Sequence, residues 1–276
     1  MNFGFIQGRM STPPSNKILQ YFPYKNWKKE FSLAKKHGFK FIEYFAERDY
    51  NKKNPIWNLK KLNTIKKLTK KNNLYSISFC DDFFISKNIL TYKNLNNYYN
   101  TLTKNLSVIK VRLYILALFE KSVINKSNFK NYAEIIRNIS DKLKKKKIKL
   151  LLETNLDVIS FKKLMKLIDR KNVYLVYDTG NRLKKKNMQH DEIIKLKKFI
   201  SHFHLKDKNW KGKNVIMGTG SVNFKYIFEA IKKIKFKGNF VFETNRGENP
   251  IKTMINNKKY ILNIVSSIYG KTKKPI

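Results

Sequence analysis

A single (β/α)8 barrel is the fold class this sequence predicts, on three observations. Its 276 residues match the size of one such barrel, and eight short β-rich runs alternate with longer segments of helical period. No linker, repeat or Pro/Ser-rich stretch separates them, so the barrel is read over residues 1–270 with a basic tail at 271–276. An open doubly wound sheet would more often carry a glycine-rich phosphate loop after its first strand, and none is present. The elements follow in order. Residues 3–6 read as strand one; Trp27, Phe31 and Ala34 then recur at helical spacing until Gly38 stops that helix. Strand two is read at 39–43, and Asn54-Pro55 opens a helix with Leu59, Leu62, Ile65 and Leu68 on one face. Strand three at 74–79 precedes a helix carrying Leu95, Leu102, Leu106 and Ile109. Strand four at 113–118 precedes one lined by Phe129, Ile136, Ile139 and Leu143. Strand five covers 148–153, and Ser160 is read as the cap of a helix bearing Phe161, Leu164, Met165 and Ile168. Strand six runs from 173 to Asp178, before a short helix marked by Ile193, Ile194 and Leu196. Strand seven is 200–205, its helix is marked by Phe224, Ile227, Phe228 and Ile231, and strand eight is 239–243. Met254, Ile255, Ile261 and Ile264 mark the last helix.

With 42% hydrophobic residues the chain can bury a large core, which excludes a disordered or fibrous protein. No apolar run approaches the roughly 20 residues that span a bilayer. The start lacks the basic-then-apolar order of a signal peptide, so a cytoplasmic location is expected. A single cysteine, Cys80, excludes intrachain disulfides and a cysteine-based zinc site. Sixty Lys+Arg against 19 Asp+Glu give a formal charge of +41, which attracts polyanions nonspecifically. Only seven of the sixty are arginine, the residue that base reading and bidentate phosphate clamping favour, and the lysines are spread over the whole chain. Nucleic acid is therefore expected only as a nonspecific contact of the basic surface. With acids so scarce, their positions carry the information.

In such a barrel the carboxyl ends of the strands face the active site. Here strand two is read to end in Glu43, strand five in Glu153, strand six in Asp178 and strand eight in Glu243. Strand seven carries His202 and His204, two apart and so on one face. Carboxylates at the ends of apolar strands cost desolvation unless a positive charge meets them, and a divalent metal is the natural partner. Three carboxylates and an imidazole suit Mn²⁺, Mg²⁺, Co²⁺ or Zn²⁺. Taken singly, each residue has an ordinary alternative: a solvated strand end, a packed histidine, a lysine partner for Glu43.

Glu153-Thr154-Asn155, Asp178-Thr179-Gly180-Asn181, His202-Phe203-His204-Leu205-Lys206-Asp207, the run from Gly218 to Phe224 and Phe242-Glu243 resemble the xylose-isomerase-like barrel superfamily. Within it they most resemble the sugar-phosphate isomerase/epimerase branch that includes the L-ribulose-5-phosphate (L-xylulose-5-phosphate) 3-epimerases. The resemblance covers strands five to eight by motif and the first half by layout. Free-ketohexose 3-epimerases of the superfamily typically carry a histidine where this chain has Asn181, and an arginine soon after the metal histidine. The stretch from Lys206 to Trp210 here has none. The resemblance implies one divalent ion held by Glu153, Asp178, His204 and Glu243.

Such an ion would act as a Lewis acid on a ketose, easing removal of the C3 proton to an enediolate. Epimerisation then needs a base on one face and an acid on the other, and Glu153 and Glu243 are the acid pair placed for it. The expected partner is a small sugar or sugar phosphate, with homo-oligomerisation open. Substrate contacts are assigned to Gln7, Glu43, Asp81, Asn181, His202, Lys206 and Arg246. Lys206, Lys208, Arg246 and the backbone of 218–221 are candidates for a phosphate, the alternative for 218–221 being a tight turn. Arg9 is read as a substrate contact or a brace of the barrel rim. A ketose isomerase or a dehydratase of inositol-type ketones would use the same metal site. An apurinic endonuclease of the superfamily would need more strand-end histidines than His202 and His204, and a noncatalytic nucleic-acid-binding barrel would not need Glu153.

Overall fold

The computed structural model describes residues 1–15, 20–184 and 188–270; the basic tail at 271–276 lies outside the described residues. Eight parallel strands close into a barrel. In chain order they are β1 (Asn2–Ile6), β2 (Phe41–Ala46), β3 (Ser78–Asp81), β4 (Leu113–Ala117), β5 (Lys149–Glu153), β6 (Val173–Asp178), β7 (Ile200–Leu205) and, after a small hairpin, β10 (Asn239–Phe242). β1 pairs with β2 on one side and β10 on the other, which closes the ring. The hairpin, β8 (Asp207–Lys208) against β9 (Asn214–Val215), follows β7 directly and was not legible in the sequence. Among the described residues nine helices form the outer layer: α1 (Lys29–Lys36), α2 (Leu59–Lys71), α3 (Phe83–Ser86), α4 (Leu95–Val108), α5 (Phe129–Lys144), α6 (Val158–Ile168), α7 (Met188–Leu196), α8 (Phe224–Lys233) and α9 (Pro250–Tyr269). None is long and apolar enough to cross a membrane.

Strand ends in the first half differ from the sequence reading, and the register explains why. Gly4 pairs with Phe41, so β2 starts two residues later than expected and runs on to Ala46. Glu43 is therefore mid-strand, deep in the barrel rather than at its rim. β3 likewise begins at Ser78, which puts Asp81 inside the strand and Asp82 just past it. Leu59 is half exposed, and the buried face of α2 is Leu62, Ile65 and Thr69. The cap of α6 is Asp157, whose side chain accepts from the amides of Ile159 and Ser160; Ser160 is already in the helix. Asn58, Asn223 and Asn249 cap α2, α8 and α9 in the same way.

Two buried arginines fasten the seam between the first and last strands. Arg9 Nη1 donates to the Thr244 carbonyl at 3.0 Å, and Arg246 Nε donates to the Gly8 carbonyl at 2.8 Å. The loop after β1 is held from below by Glu30 of α1. That buried carboxylate accepts from the Gly8 amide (2.8 Å), the Met10 amide (3.2 Å) and the Ser11 hydroxyl (3.0 Å). Burial pushes Glu30 up to about 7 despite these bonds.

Candidate active site

A cavity of about 1030 Å³ opens at the carboxyl ends of the strands, with Glu153, Glu243, Lys206, Asn181 and Asp82 in its wall. Glu153, Asp178, His204 and Glu243 each offer a ligand atom, all within 4.8 Å of one another, and all four residues are buried. The strand pattern dictates this. Asp178 ends β6 directly beside His204 in register, and Val241 pairs with His204, which brings Glu243 to the same level.

Four hydrogen-bonding arrangements set the electrostatics of the cluster. The Asp178 Oδ1 accepts from the amides of Gly180 (2.8 Å) and Asn181 (2.6 Å), fixing the carboxyl at the start of the next turn. Lys206 Nζ lies 2.9 Å from Asp178 Oδ2 and 2.8 Å from Glu243 Oε1, a buried ammonium bridging two carboxylates. Burial opposes its charge, and Asp178 and Glu243 outweigh burial, so its pKa rises. A Cβ on Gly180 would come within 2.9 Å of Lys206 Cγ, so the glycine makes room for that lysine. Glu243 Oε1 also accepts from Gln20 Nε2 at 3.1 Å, and Gln20 in turn accepts from Arg9 at 2.8 Å. Burial would raise Glu243, but Lys206, His204 and Arg9 hold it well below the ordinary carboxylate range. Glu153 has weaker support: Asn181 Nδ2 donates to it at 3.0 Å, and Lys208 Nζ donates to Asn181 at 2.8 Å. Burial, joined by the charges of Glu243 and Asp178 against that of His204, raises Glu153 to about 8.

His204 is held from both sides. Its Nε2 lies 2.9 Å from Glu43 Oε1, and its Nδ1 faces Glu243 Oε2 at 3.0 Å and Glu153 Oε2 at 3.7 Å. His202 Nε2 lies 3.0 Å from the other oxygen of Glu43. Burial alone would raise Glu43, yet the two imidazoles, His204 first, bring it down to about 2. Glu43 faces Nε2 of His204, and Nδ1 of the same ring faces the acid cluster; burial would lower the imidazole, but Glu43, Glu243 and Glu153 raise it well above its ordinary value. Both ring nitrogens of His204, Glu43 Oε1 and Asp178 Oδ2 are buried and make no aligned hydrogen bond. Three carboxylates and an imidazole with unused donor atoms, within one small sphere, fit a divalent cation.

Of the sequence-assigned substrate contacts, Asn181 and Lys206 line the cavity. Glu43 and His202 are fully buried behind His204 and do not reach it, because β2 runs past Glu43. Gln7 is buried below the rim and its Nε2 makes no hydrogen bond. Asp81 faces away. Its carboxyl accepts from Tyr98 at 2.8 Å and from Tyr114, and the Phe83 amide donates to it at 3.1 Å. Alternation along β3 puts Cys80 and Asp82 on the barrel side instead. Arg246 lines a separate recess with Lys213 and Lys252 behind the hairpin. The 218–221 turn is not open to an anion: Asp207 accepts from the amides of Gly218, Gly220 and Val222, and a Cβ on Gly220 would strike that carboxylate. Sequence reasoning missed Gln20, Glu30 and Arg182. Arg182 is buried, pairs with Glu192 at 2.6 Å, and donates to the carbonyls of Thr154 and Leu156 beside Glu153. Arg182 is one of only seven arginines in the chain, and that rarity is the signal that marks it.

The family profile described as xylose isomerase-like TIM barrel matches residues 31–262. The chain belongs to that family. An inosose dehydratase from Clostridium perfringens is 26% identical over 170 residues, covering 51% of this chain and 56% of that one. The chain thus spans about half the length of the curated relatives it matches. Among solved structures, D-psicose 3-epimerase from Clostridium cellulolyticum H10, crystallised with D-tagatose, superposes with a TM-score of 0.76 at 16% identity, over 96% of this chain and 99% of that one. The IolI protein with a bound zinc atom gives 0.75 at 17% identity, over 98% and 100%. These likenesses share the fold.

Proposed function

We propose that this chain is a divalent-metal-dependent sugar or sugar-phosphate epimerase/isomerase working through an enediolate, with 3-epimerisation of a ketose as the favoured reaction. The observation that carries this reading is the convergence of Glu153, Asp178, His204 and Glu243 within 4.8 Å at the floor of an open cavity. The four would hold the ion, which when bound supplies Lewis acidity to a carbonyl. Glu153 and Glu243 reach that floor from strands three places apart around the ring, so they can flank a substrate plane as proton acceptor and donor. Their environments differ, as a two-sided proton transfer requires: against burial, Lys206, His204 and Arg9 hold Glu243 down, while burial raises Glu153. Lys206 and the Asn181–Lys208 pair hold these carboxyls in place.

A second reading is a dehydratase, favoured by the sequence match to the inosose dehydratase. The same proton abstraction would then be followed by loss of a hydroxide rather than return of a proton. Proton NMR in D₂O with Mn²⁺, over ketopentoses, ketohexoses and their phosphates, separates these. Deuterium entering at C3 supports the epimerase, entry at C1 or C2 the isomerase, and a dehydrated product the dehydratase. No reaction with any of them, in protein that binds Mn²⁺, would overturn the epimerase reading.

A further inference from the structure

The cavity holds one buried carboxyl that neither the acid cluster nor the fold uses. Asp82 follows β3, is 4% exposed and lines the cavity with Ile85, Ala117 and Phe119 around it. It occupies the N-cap position of α3 but makes no capping bond; the Phe83 amide is taken by Asp81. Among the described residues no cation lies within ion-pair distance of it. Its hydrogen bond is the Cys80 thiol at 3.5 Å, a weak donor. Glu153, Asp178 and Glu243 are each held by nitrogen donors, so Asp82 stands apart from them. Burying a carboxyl with so little compensation costs stability. A residue that serves neither cap nor ion pair yet reaches the cavity is explained if something entering the cavity completes its hydrogen bonds.

The closed strand order gives the direction. β3 lies four places from β7 either way round the ring, so Asp82 faces His204 and Lys206 across the barrel mouth. A ketose with its reacting carbons at the acid cluster extends its remaining carbons toward this wall. Burial and then Glu243 raise the Asp82 carboxyl, against the opposing charges of Lys206 and Arg48. A hydroxyl suits it, since it both donates and accepts.

We propose that Asp82 is a specificity-determining residue that hydrogen-bonds a hydroxyl on the non-reacting part of the substrate, opposite the metal-binding wall. This rests on the reading of the cavity as a ketose site. It also orients the ligand, with its hydroxylated, non-reacting carbons toward β3.

The test is ligand affinity, measured by calorimetry on Mn²⁺-loaded protein, with D-fructose, D-tagatose and their 4-, 5- and 6-deoxy analogues as probes. In the wild type, removing one particular hydroxyl should weaken binding about 10- to 100-fold. Asp82→Ala should weaken the parent ketose by a similar factor and show no further loss with that analogue, and Asp82→Asn should restore most of the affinity. Because the carboxyl has so little compensation, Asp82→Asn should melt no lower than wild type. Equal parent-to-deoxy ratios in wild type and Asp82→Ala would overturn the proposal. So would a melting temperature in Asp82→Asn that falls as it would for a lost core contact. Deuterium exchange in D₂O is read in parallel. Coupled binding without exchange keeps Asp82 and removes the epimerase reading, exchange without coupling does the reverse, and no binding by any probe removes both.

Discussion

The two halves of the barrel rim handle charge in opposite ways. On the side of β5, β6, β7 and β10 the charged groups are gathered into one cluster, where Lys206 answers Asp178 and Glu243, and Arg9 answers Glu243. On the side of β1 to β4 the buried acids are sealed off one by one. Glu43 is closed in by two imidazoles, Asp81 by two tyrosines, and Glu30 by the loop it holds. Among the described residues Asp82 is the buried acid on that side that lines the cavity, with the less buried Glu47, Asp49 and Glu120 further out in the same wall. On the proposed reading, one wall carries the chemistry and the other orients what the first wall acts on. The depth of a carboxylate along its strand decides which task it has.

The contrast is broken most severely through the reacting wall. Glu153→Gln should lower turnover by at least about 10²- to 10⁴-fold while leaving the fold intact, read by deuterium exchange and circular dichroism. Retained turnover would remove the acid/base assignment. Next in size is a support from the opposite wall. Glu43→Gln removes the negative charge that faces both imidazoles, and Mn²⁺ affinity should fall about 10- to 100-fold in a direct titration. Unchanged affinity would mean that charge does not tune His204.

A pH experiment isolates the sealed acids. Folding raises Glu30 from 4.5 to about 7, so the stabilising contribution of its protonated form is complete below pH 4.5 and is lost as the pH rises through 7. The difference amounts to about 3 kcal/mol at pH 8. The melting temperature should therefore drop less between pH 5 and 8 in Glu30→Gln than in wild type, and parallel profiles would contradict this. The smallest effect is expected at the outer edge. Arg48 and Glu120 form a bidentate pair that is about half exposed, so Arg48→Ala should change urea-unfolding stability by no more than about 0.5 kcal/mol.

The eight-strand ring was legible in the sequence because apolar runs and helical periods alternate without interruption. The second-half cluster was legible because Glu153, Asp178 and Glu243 end or directly follow short, sharply bounded strands. The first half was harder. Phe39 to Ala46 is apolar almost throughout, so nothing in the pattern says where β2 starts, and a shift of two residues moves Glu43 from rim to interior. Asp81 and Asp82 are adjacent and chemically equal, and only the register of β3 decides which one meets the cavity. The hairpin after β7 pairs Asp207 with Val215 and Lys208 with Asn214, and the Asp207 turn depends on contacts 11 to 15 residues apart, none of which periodicity encodes.

The clasp formed by Arg9 and Arg246 has a consequence for how the molecule is made. Arg9 and Thr244 are 235 residues apart in the chain, and β1 gains its second neighbour only when β10 arrives. Until then a partly synthesised chain carries two unpaired strand edges, at β1 and at the most recent strand, each a template for wrong pairing. Ring closure is thus the longest-range step in folding and is expected to be among the slowest. Glu243, immediately after β10, enters the cluster at that same moment, so the assembly of the acid site and the removal of the last exposed edge are one event.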